Sequence, residues 1–569
     1  MPVWQTPLNN WVPPVRFWPA LASSESLVSK FERSAHPFSE ALMTLPFNET
    51  AFRTTLFGAL VAAAGRTGYD KTILEDAERQ ALTYKRLILA CLVLGKRLMR
   101  ETQPGQATGL LLPNVNALVV ALFGLNAYGR SAGLLNFTAG TRNLVSAVRT
   151  GPLPVVVTSR RFIETAKLDE AVDAIAETEW APGRRVRVIY LEDVRRSIGS
   201  TDKARGFLAS LAPGLATRFR RPRAEEMAIL LFTSGTEGSP KGVALTNLNL
   251  VANAKQIFAH ANGILTSSDI AMNPLPMFHS FGLTAGTLMP LLNGMKVVLY
   301  PSPLHYKQIP RLIRGTRATL LLSTDTFLQG YARAAYDGDL DGLRFVVAGA
   351  ERVKEATRRL WNRSGTEILE GYGATECAPV ICCNLPGSNR HGSVGRILPG
   401  IEARLEPVEG INEGGRLHVR GPNVMAGYIH AREPGVIVPP PDGWHDTGDI
   451  VTIDDGFVAI RGRAKRFAKI GGEMISLAAV EAMASGLWPE NTHVCVSLPD
   501  PRKGESLVLV TDKPDADKTE LSARAREEGL PELWVPKAIL VTQQIPILGS
   551  GKVDYAATLE MAREAMPLL

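Results

Sequence analysis

The stretch Thr233-Ser234-Gly235-Thr236-Glu237-Gly238-Ser239-Pro240-Lys241-Gly242 combines hydroxyls, glycines and one lysine directly behind an apolar run at 227–232. The run reads as a short buried strand. The loop behind it offers exposed backbone N–H groups, hydroxyl donors and a fixed cation. Amides arranged in a nest with an ammonium nearby answer the diffuse charge of a polyphosphate. Glycine lets the backbone approach phosphate closely. The common P-loop needs Gly directly before Lys and Ser or Thr directly after it. Here Pro240 precedes Lys241 and Gly242 follows it, so the loop belongs to another class.

Other stretches also carry chemistry. Gly371-Tyr372-Gly373-Ala374-Thr375-Glu376 is a Gly-rich turn. Its Tyr372 offers a flat face to a purine, Thr375 a hydroxyl to a phosphate, and Glu376 a hard oxygen ligand for magnesium. Trp444-His445-Asp446-Thr447-Gly448-Asp449 holds two carboxylates and a His in spacing that fits no metal-ligand set. Asp449 has two acceptor oxygens, which suit two adjacent donors. In Pro274-Leu275-Pro276-Met277-Phe278-His279-Ser280-Phe281-Gly282-Leu283, apolar and aromatic residues surround one His. Ala348-Gly349-Ala350-Glu351 ends a predicted strand, and ligands of open α/β sheets sit beyond strand C-termini.

Helical patterns near 54–61, at 84–99 and at 250–260 alternate with strand-like runs at 109–112, 154–158, 186–191, 296–300, 319–322 and 344–347. That alternation predicts an α/β sheet with helices on its faces. At 569 residues the chain exceeds one ordinary core. The net charge of +7 favours an acidic partner or an anionic surface and does not by itself exclude nucleic acid. Five cysteines without CxxC spacing fit a reducing compartment and no structural zinc. No run reaches the roughly 18 apolar residues of a membrane span. The longest, 117–125 between Asn116 and Asn126, reads as a buried helix. The first fifty residues form an irregular leader. Its prolines forbid a helix near the start; it reads as an arm docked on the body or simply disordered, or as an interfacial anchor through Trp4, Trp11 and Trp18.

The order Thr-Ser-Gly-Thr-x-Gly-x-Pro-Lys-Gly resembles the phosphate loop of the adenylate-forming superfamily of acyl-CoA synthetases, luciferases and peptide-synthetase adenylation domains. Motifs in the matching order run over about 51–569. The resemblance implies a mixed α/β fold. A large adenylation domain with layered sheets would cover 51–462, and a small mobile α+β lid 463–569. It implies ATP and magnesium as cofactors. Thr233, Ser234, Gly235, Thr236, Gly238 and Lys241 would hold the phosphates, and Gly349, Ala350, Glu351, Gly371, Tyr372 and Gly373 would border the adenine. Asp449 and Arg463 would take the ribose, and Glu376 the metal. The His279 stretch would line the acid pocket, with His279 at its mouth. Lys465 would be the hinge, about which the face at 469–473, with Lys469, swings to the site. Thr375 and Lys552 would sit at the reacting α-phosphate. Lys552 stands in Pro-x-x-x-Gly-x-Gly-Lys, with Leu548 where the family usually has Thr.

A finer likeness links Tyr300-Pro301-Ser302-Pro303-Leu304-His305-Tyr306, Gly371 to Val380 and Gly462 to Ile470 with one subgroup. That subgroup is the acyl-ACP synthetase half of the bacterial bifunctional lysophospholipid acyltransferase/acyl-ACP synthetase. The acyltransferase half is not expected, because the only early His is His36 and Ala41 stands where its Asp would fall. The resemblance implies a medium- or long-chain fatty acid substrate and an acid–thiol ligase. Its acceptor is the phosphopantetheine of an acidic acyl-carrier protein, with CoA as the alternative. A separate lysophospholipid acyltransferase is an expected partner and nucleic acid is not. The basic stretch 461–469 would serve either acceptor. The expected setting is cytoplasmic, with peripheral contact at the inner membrane as a further option.

Overall fold

A computed structural model describes residues 52–569 apart from 218–221, 235–239, 363–364, 410, 412, 471–472, 501–503, 548–552 and 567–569, with the backbone alone at Ser234 and Lys465. The expected leader lies outside the described residues. Everything described belongs to one compact unit, Leu42–Leu569.

Two sheets carry the large N-terminal part. In the first, of thirteen strands, the parallel strands run in the order Thr72–Glu75, Lys296–Leu299, Ile270–Asn273, Leu320–Ser323, Phe345–Ala348 and Ile368–Gly373. Beyond Ile368–Gly373 the sheet turns antiparallel through Val380–Cys383 and Arg396–Ile397. It then continues to Phe457–Arg463, His445–Asp454, Gly415–Arg420 and Glu402–Glu406. The second sheet has eight strands, with Met227–Ser234 between parallel Ser131–Leu134 and antiparallel Pro240–Thr246. Strands Ala107–Leu110, Ser131–Leu134 and Val155–Thr158 are buried throughout, as parallel strands covered on both faces must be.

The helix read from the apolar run is Asn116–Ala127, and all of it but Ala117 is buried. Its Asn126 has a structural duty. The first amides of helix Leu56–Thr67 have no partner within that helix. Leu56 N donates to Asn247 Oδ1 at 3.0 Å, Phe57 N to Asn126 Oδ1 at 2.9 Å, and Gly58 N to Thr55 Oγ1 at 3.0 Å. Asn126 Nδ2 also donates to Asn247 Oδ1 at 2.7 Å. Two buried amides thus pin one helix start to two other helices.

Past Arg463 the chain enters a smaller C-terminal domain. Strands Glu473–Ser476, Phe467–Ile470, Gly504–Thr511, His493–Asp500 and Ala538–Val541 form a separate five-stranded sheet. Its apolar clusters draw only on residues from Ala468 onward. The mixed α/β fold with a large first domain and a small second one matches the sequence reading.

Helices Tyr84–Leu98 and Asn116–Ala127 meet backbone to backbone. A Cβ on Gly95 would overlap the Gly124 carbonyl, and one on Gly124 would lie 2.8 Å from Cys91 O. Backbone cannot step aside as a side chain can. Gly124→Val is expected to lower stability by about 1–3 kcal/mol, read as a lower urea midpoint. An unchanged midpoint would mean that the helices do not approach this closely.

Candidate active site

The Gly/Ser/Thr stretch is shorter as a loop than its composition suggests. Thr233 and Ser234 end one strand, Pro240 and Lys241 begin the next, and only 235–239 join them. Backbone pairing with Pro240–Thr246 carries the strand past the apolar run through Thr233 and Ser234. Thr233 and Lys241 are direct cross-strand partners. Gly235, Thr236 and Gly238 lie outside the described residues, as does the side chain of Ser234. Lys241 Nζ stands 5.8 Å from the centroid of the Tyr428 ring, the range of a cation–π contact.

Tyr428 is the residue that sequence reasoning missed. It lies on strand Gly427–Ile429, which pairs with Pro240–Thr246, and its hydroxyl donates to Glu376 Oε1 at 2.6 Å. Burial, and then the Glu376 charge, hold that hydroxyl protonated far above neutral pH, so it remains a donor. Thr375 Oγ1 is 3.3 Å from Ser280 Oγ. Lys241, Tyr428, Glu376, Thr375 and Ser280 therefore form a continuous line from the hairpin to the aromatic stretch. No motif spacing could have revealed Tyr428, because its link to Glu376 crosses 52 residues and two sheets. Glu376 keeps one carboxylate oxygen outside the Tyr428 bond. Magnesium is typically held by one or two carboxylates plus phosphates and water, so a single Glu beside the phosphate hairpin suits it. No group of three or more His, Cys, Asp or Glu side chains suited to a metal occurs among the described residues.

A second cluster gathers the nucleoside candidates. Tyr372 OH donates to Asp449 Oδ2 at 2.5 Å, and Arg463 Nε donates to Asp449 Oδ1 at 3.2 Å. Asp449 and Arg463 are cross-strand partners. Burial pushes the Asp449 carboxyl above its ordinary value, opposed by Arg463 and Tyr372. Each oxygen already accepts one bond and retains capacity for another. The neighbouring carboxylate is differently used. Asp446 takes a bidentate pair from Arg416, whose Nε lies 2.8 Å from Oδ1. Burial lowers the His445 imidazole despite Glu376, Asp446 and Asp449 nearby.

Gly349 follows strand Phe345–Ala348, and a Cβ there would stand 3.1 Å from the Phe281 ring. Ala350 adopts a left-handed φ of 70°. Glu351 Oε2 accepts from Thr326 N at 3.0 Å and Thr326 Oγ1 at 2.9 Å, which directs this oxygen to a helix start. Gly371 and Gly373 lie on strand Ile368–Gly373, and a Cβ on Gly373 would overlap Pro379 O. His279 is half-buried with its ring 4.7 Å from Phe278. Phe278 meets Phe137 edge-on at 5.0 Å, and Phe137 meets Phe162 at 5.0 Å. The stretch behind it forms a π-helix, Phe281–Leu288, a geometry common at functional sites.

In the basic stretch 461–469, Arg461, Arg463 and Lys469 are exposed and Arg466 is half-buried. Arg461 Nε donates to Thr452 Oγ1 at 3.1 Å, and Arg463 is held by Asp449. Arg466 pairs with Glu481 at 2.7 Å and lies over the Tyr555 ring at 3.8 Å. Arg461 and Arg463 stay exposed while bonded to these partners, and Arg466 is the one drawn inward. Lys469 is exposed, 4.0 Å from Glu409. The backbone at Lys465 lies in the turn Ala464–Arg466 between the domains. Lys552 lies outside the described residues, between Ile547 and Val553, which pair antiparallel.

Residues 60–429 match the family described as AMP-binding enzyme. A feruloyl-CoA synthase from an Amycolatopsis species is 31% identical over 488 residues, spanning 83% of this chain and 92% of that protein. A long-chain-fatty-acid–CoA ligase from Haemophilus influenzae is 26% identical over 520 residues, spanning 85% and 92%. Among solved structures, the anthranilate CoA ligase AuaEII in complex with anthranoyl-AMP shares the fold, with a TM-score of 0.74 at 20% identity. That match covers 92% of this chain and 100% of that one. A family match over most of the chain, joined to a relative of this identity and coverage, places the protein: it belongs to the AMP-binding, adenylate-forming enzyme family.

Proposed function

We propose that the enzyme activates a hydrophobic carboxylic acid, best a long-chain fatty acid, as its acyl-AMP and transfers the acyl group to the thiol of CoA. The observation that carries this reading is the line from Lys241 through Tyr428, Glu376 and Thr375 to Ser280. It joins a polyphosphate hairpin to an aromatic stretch suited to an apolar acid. Relatives described as CoA synthases and CoA ligases support the acceptor.

A carboxylate is a poor electrophile at neutral pH. Its oxygen attacks the α-phosphorus of ATP and pyrophosphate leaves, so catalysis is positioning and charge stabilisation rather than a covalent bond to protein. Thr233, Ser234, Thr236 and Lys241 would hold the β- and γ-phosphates, with Glu376 on magnesium and Thr375 beside the reacting phosphate. Asp449 would accept from the ribose while Tyr372 and Arg463 fix its orientation. Phe278, Phe137 and Phe162 would wall the acid side, with His279 at the mouth. Lys552 would complete the site only when the small domain closes, and its withdrawal by rotation near Lys465 would admit the thiol.

Acyl-carrier protein as acceptor is a second reading. It rests on the sequence segments at 300–306 and 371–380. Arg461, Arg463 and Lys469 are exposed and suit an acidic surface, so the basic stretch does not decide between the two acceptors. Competition between CoA and acyl-carrier protein, with a long-chain acid held constant, tests the acceptor. Product on CoA alone is expected, and exclusive transfer to acyl-carrier protein would overturn that choice. No acyl-AMP from any acid in a lipidic and aromatic panel would overturn the function itself.

Two substitutions probe the division of labour. Lys552→Ala should lower adenylate formation by about a hundredfold, the scale of one lost charge-stabilising donor, while a supplied acyl-adenylate still transfers. Equal loss of both steps would refute the lid role. Tyr428→Phe removes a hydrogen bond to a charged group, which is on the scale of roughly 1.5–3 kcal/mol. It should lower kcat/KM for MgATP about tenfold or more and leave the KM for the acid unchanged. A change confined to the acid would remove Tyr428 from the phosphate side.

A further inference from the structure

Helix Ser200–Leu211 lies against helix Tyr84–Leu98 through Gly206, where an added Cβ would overlap Val93. Its opposite side bears apolar residues at helical spacing. Phe207 is 49% exposed, and Leu208, Leu211 and, just past the helix, Leu215 are each 65% exposed. Large aliphatic and aromatic side chains this open, so close together, mark a contact surface.

Basic side chains flank this ridge. Among the described residues, Arg195, Lys203 and Arg205 are exposed and Arg196 pairs with Asp193 at 2.7 Å. Beside the ridge, a groove of about 240 Å³ between the two helices is lined by Lys96, Arg97, Arg100 and Arg205.

We infer that this ridge and its basic flank form a docking surface for an anionic phospholipid bilayer. An apolar ridge with lysine and arginine beside it is the pattern of a helix lying in the membrane interface, its apolar side chains in the acyl boundary and its cations among headgroup phosphates. A second copy of the chain is the wrong occupant, because two faces that each present exposed Arg100, Arg195, Lys203 and Arg205 repel. Nucleic acid is also the wrong occupant, because three of the four ridge side chains are leucines and Phe207 is its single ring for stacking a base. No helix among the described residues is long and apolar enough to cross a membrane, so the contact is peripheral. The inference does not depend on which acid or thiol the enzyme uses.

Co-sedimentation of the full chain with vesicles tests it. The wild type should bind phosphatidylcholine vesicles containing phosphatidylglycerol, bind phosphatidylcholine alone weakly, and release with added salt as screening shortens. Phe207→Ser/Leu208→Ser/Leu211→Ser and Lys203→Glu/Arg205→Glu should each weaken binding about tenfold or more. ATP–pyrophosphate exchange with a water-soluble acid should be unchanged in both, which shows that the variants fold. Wild-type binding indifferent to phosphatidylglycerol would overturn the inference. So would ridge variants that bind as the wild type does, or loss of binding only on replacing Trp4, Trp11 and Trp18. Light scattering that reveals a dimer dispersed by Leu208→Ser would assign the ridge to self-association instead.

Discussion

The hydrogen bond from Tyr428 to Glu376 crosses between the two large sheets. Tyr428 belongs to the eight-stranded sheet, and Glu376 to the turn beyond strand Ile368–Gly373 of the thirteen-stranded one. Backbone contacts reinforce the crossing: Met425 N donates to Glu376 O at 2.8 Å, and Ala426 N to Ala244 O at 2.9 Å. Asn423 Nδ2 adds a bond to Cys377 O at 2.8 Å. One segment thereby fixes the distance between the cationic hairpin and the carboxylate. A half-buried carboxylate such as Glu376 is costly unless hydrogen-bonded, and a tyrosine held protonated by its own burial is a donor that does not switch off at working pH. The same logic recurs at Tyr372 and Asp449, where burial raises both groups and keeps the phenol as donor.

Charge in this protein is used locally. Asp446 and Asp449 stand three residues apart, yet one closes on Arg416 across the sheet and the other faces Tyr372 and Arg463. The strand His445–Asp454 alternates its faces, and a register shift near Arg416 and His418 turns Asp446 to its own partner. Arg466, which reads as part of a solvated basic run, is instead a support of the small domain through Glu481 and Cys495 O. Arg195, Lys203 and Arg205, by contrast, stay exposed beside an apolar ridge. A net charge summed over the chain hides both facts, since screening confines each charge to its neighbourhood.

Much of the fold was legible in sequence because the local signals were strong. Strand runs at 296–300, 319–322 and 344–347 appear as Lys296–Leu299, Leu320–Ser323 and Phe345–Ala348, and the run at 84–99 as helix Tyr84–Leu98. Continuous apolar runs bounded by polar residues leave little freedom when both faces are covered. The hairpin's extent was less legible, since Thr233, Ser234, Pro240 and Lys241 have turn composition and the ladder extends over them all the same. Backbone pairing with a neighbouring strand outweighs the weak local preference of such residues.

By itself the sequence determined residue chemistry and order: a hydroxyl- and glycine-rich stretch ending in Lys241, Glu376 beside Thr375, an aromatic stretch around His279, and Asp446 and Asp449 three residues apart. Those properties are intrinsic to side chains and to short spacings, so they survive without coordinates. Tertiary structure alone decided the partners. It set Tyr428 on Glu376, closed Asp446 on Arg416, drew Arg466 inward, and left Phe207, Leu208 and Leu211 facing out. The reason is physical. Partnership and exposure depend on which strands pair and which helix faces meet, and those contacts join residues tens to hundreds of positions apart.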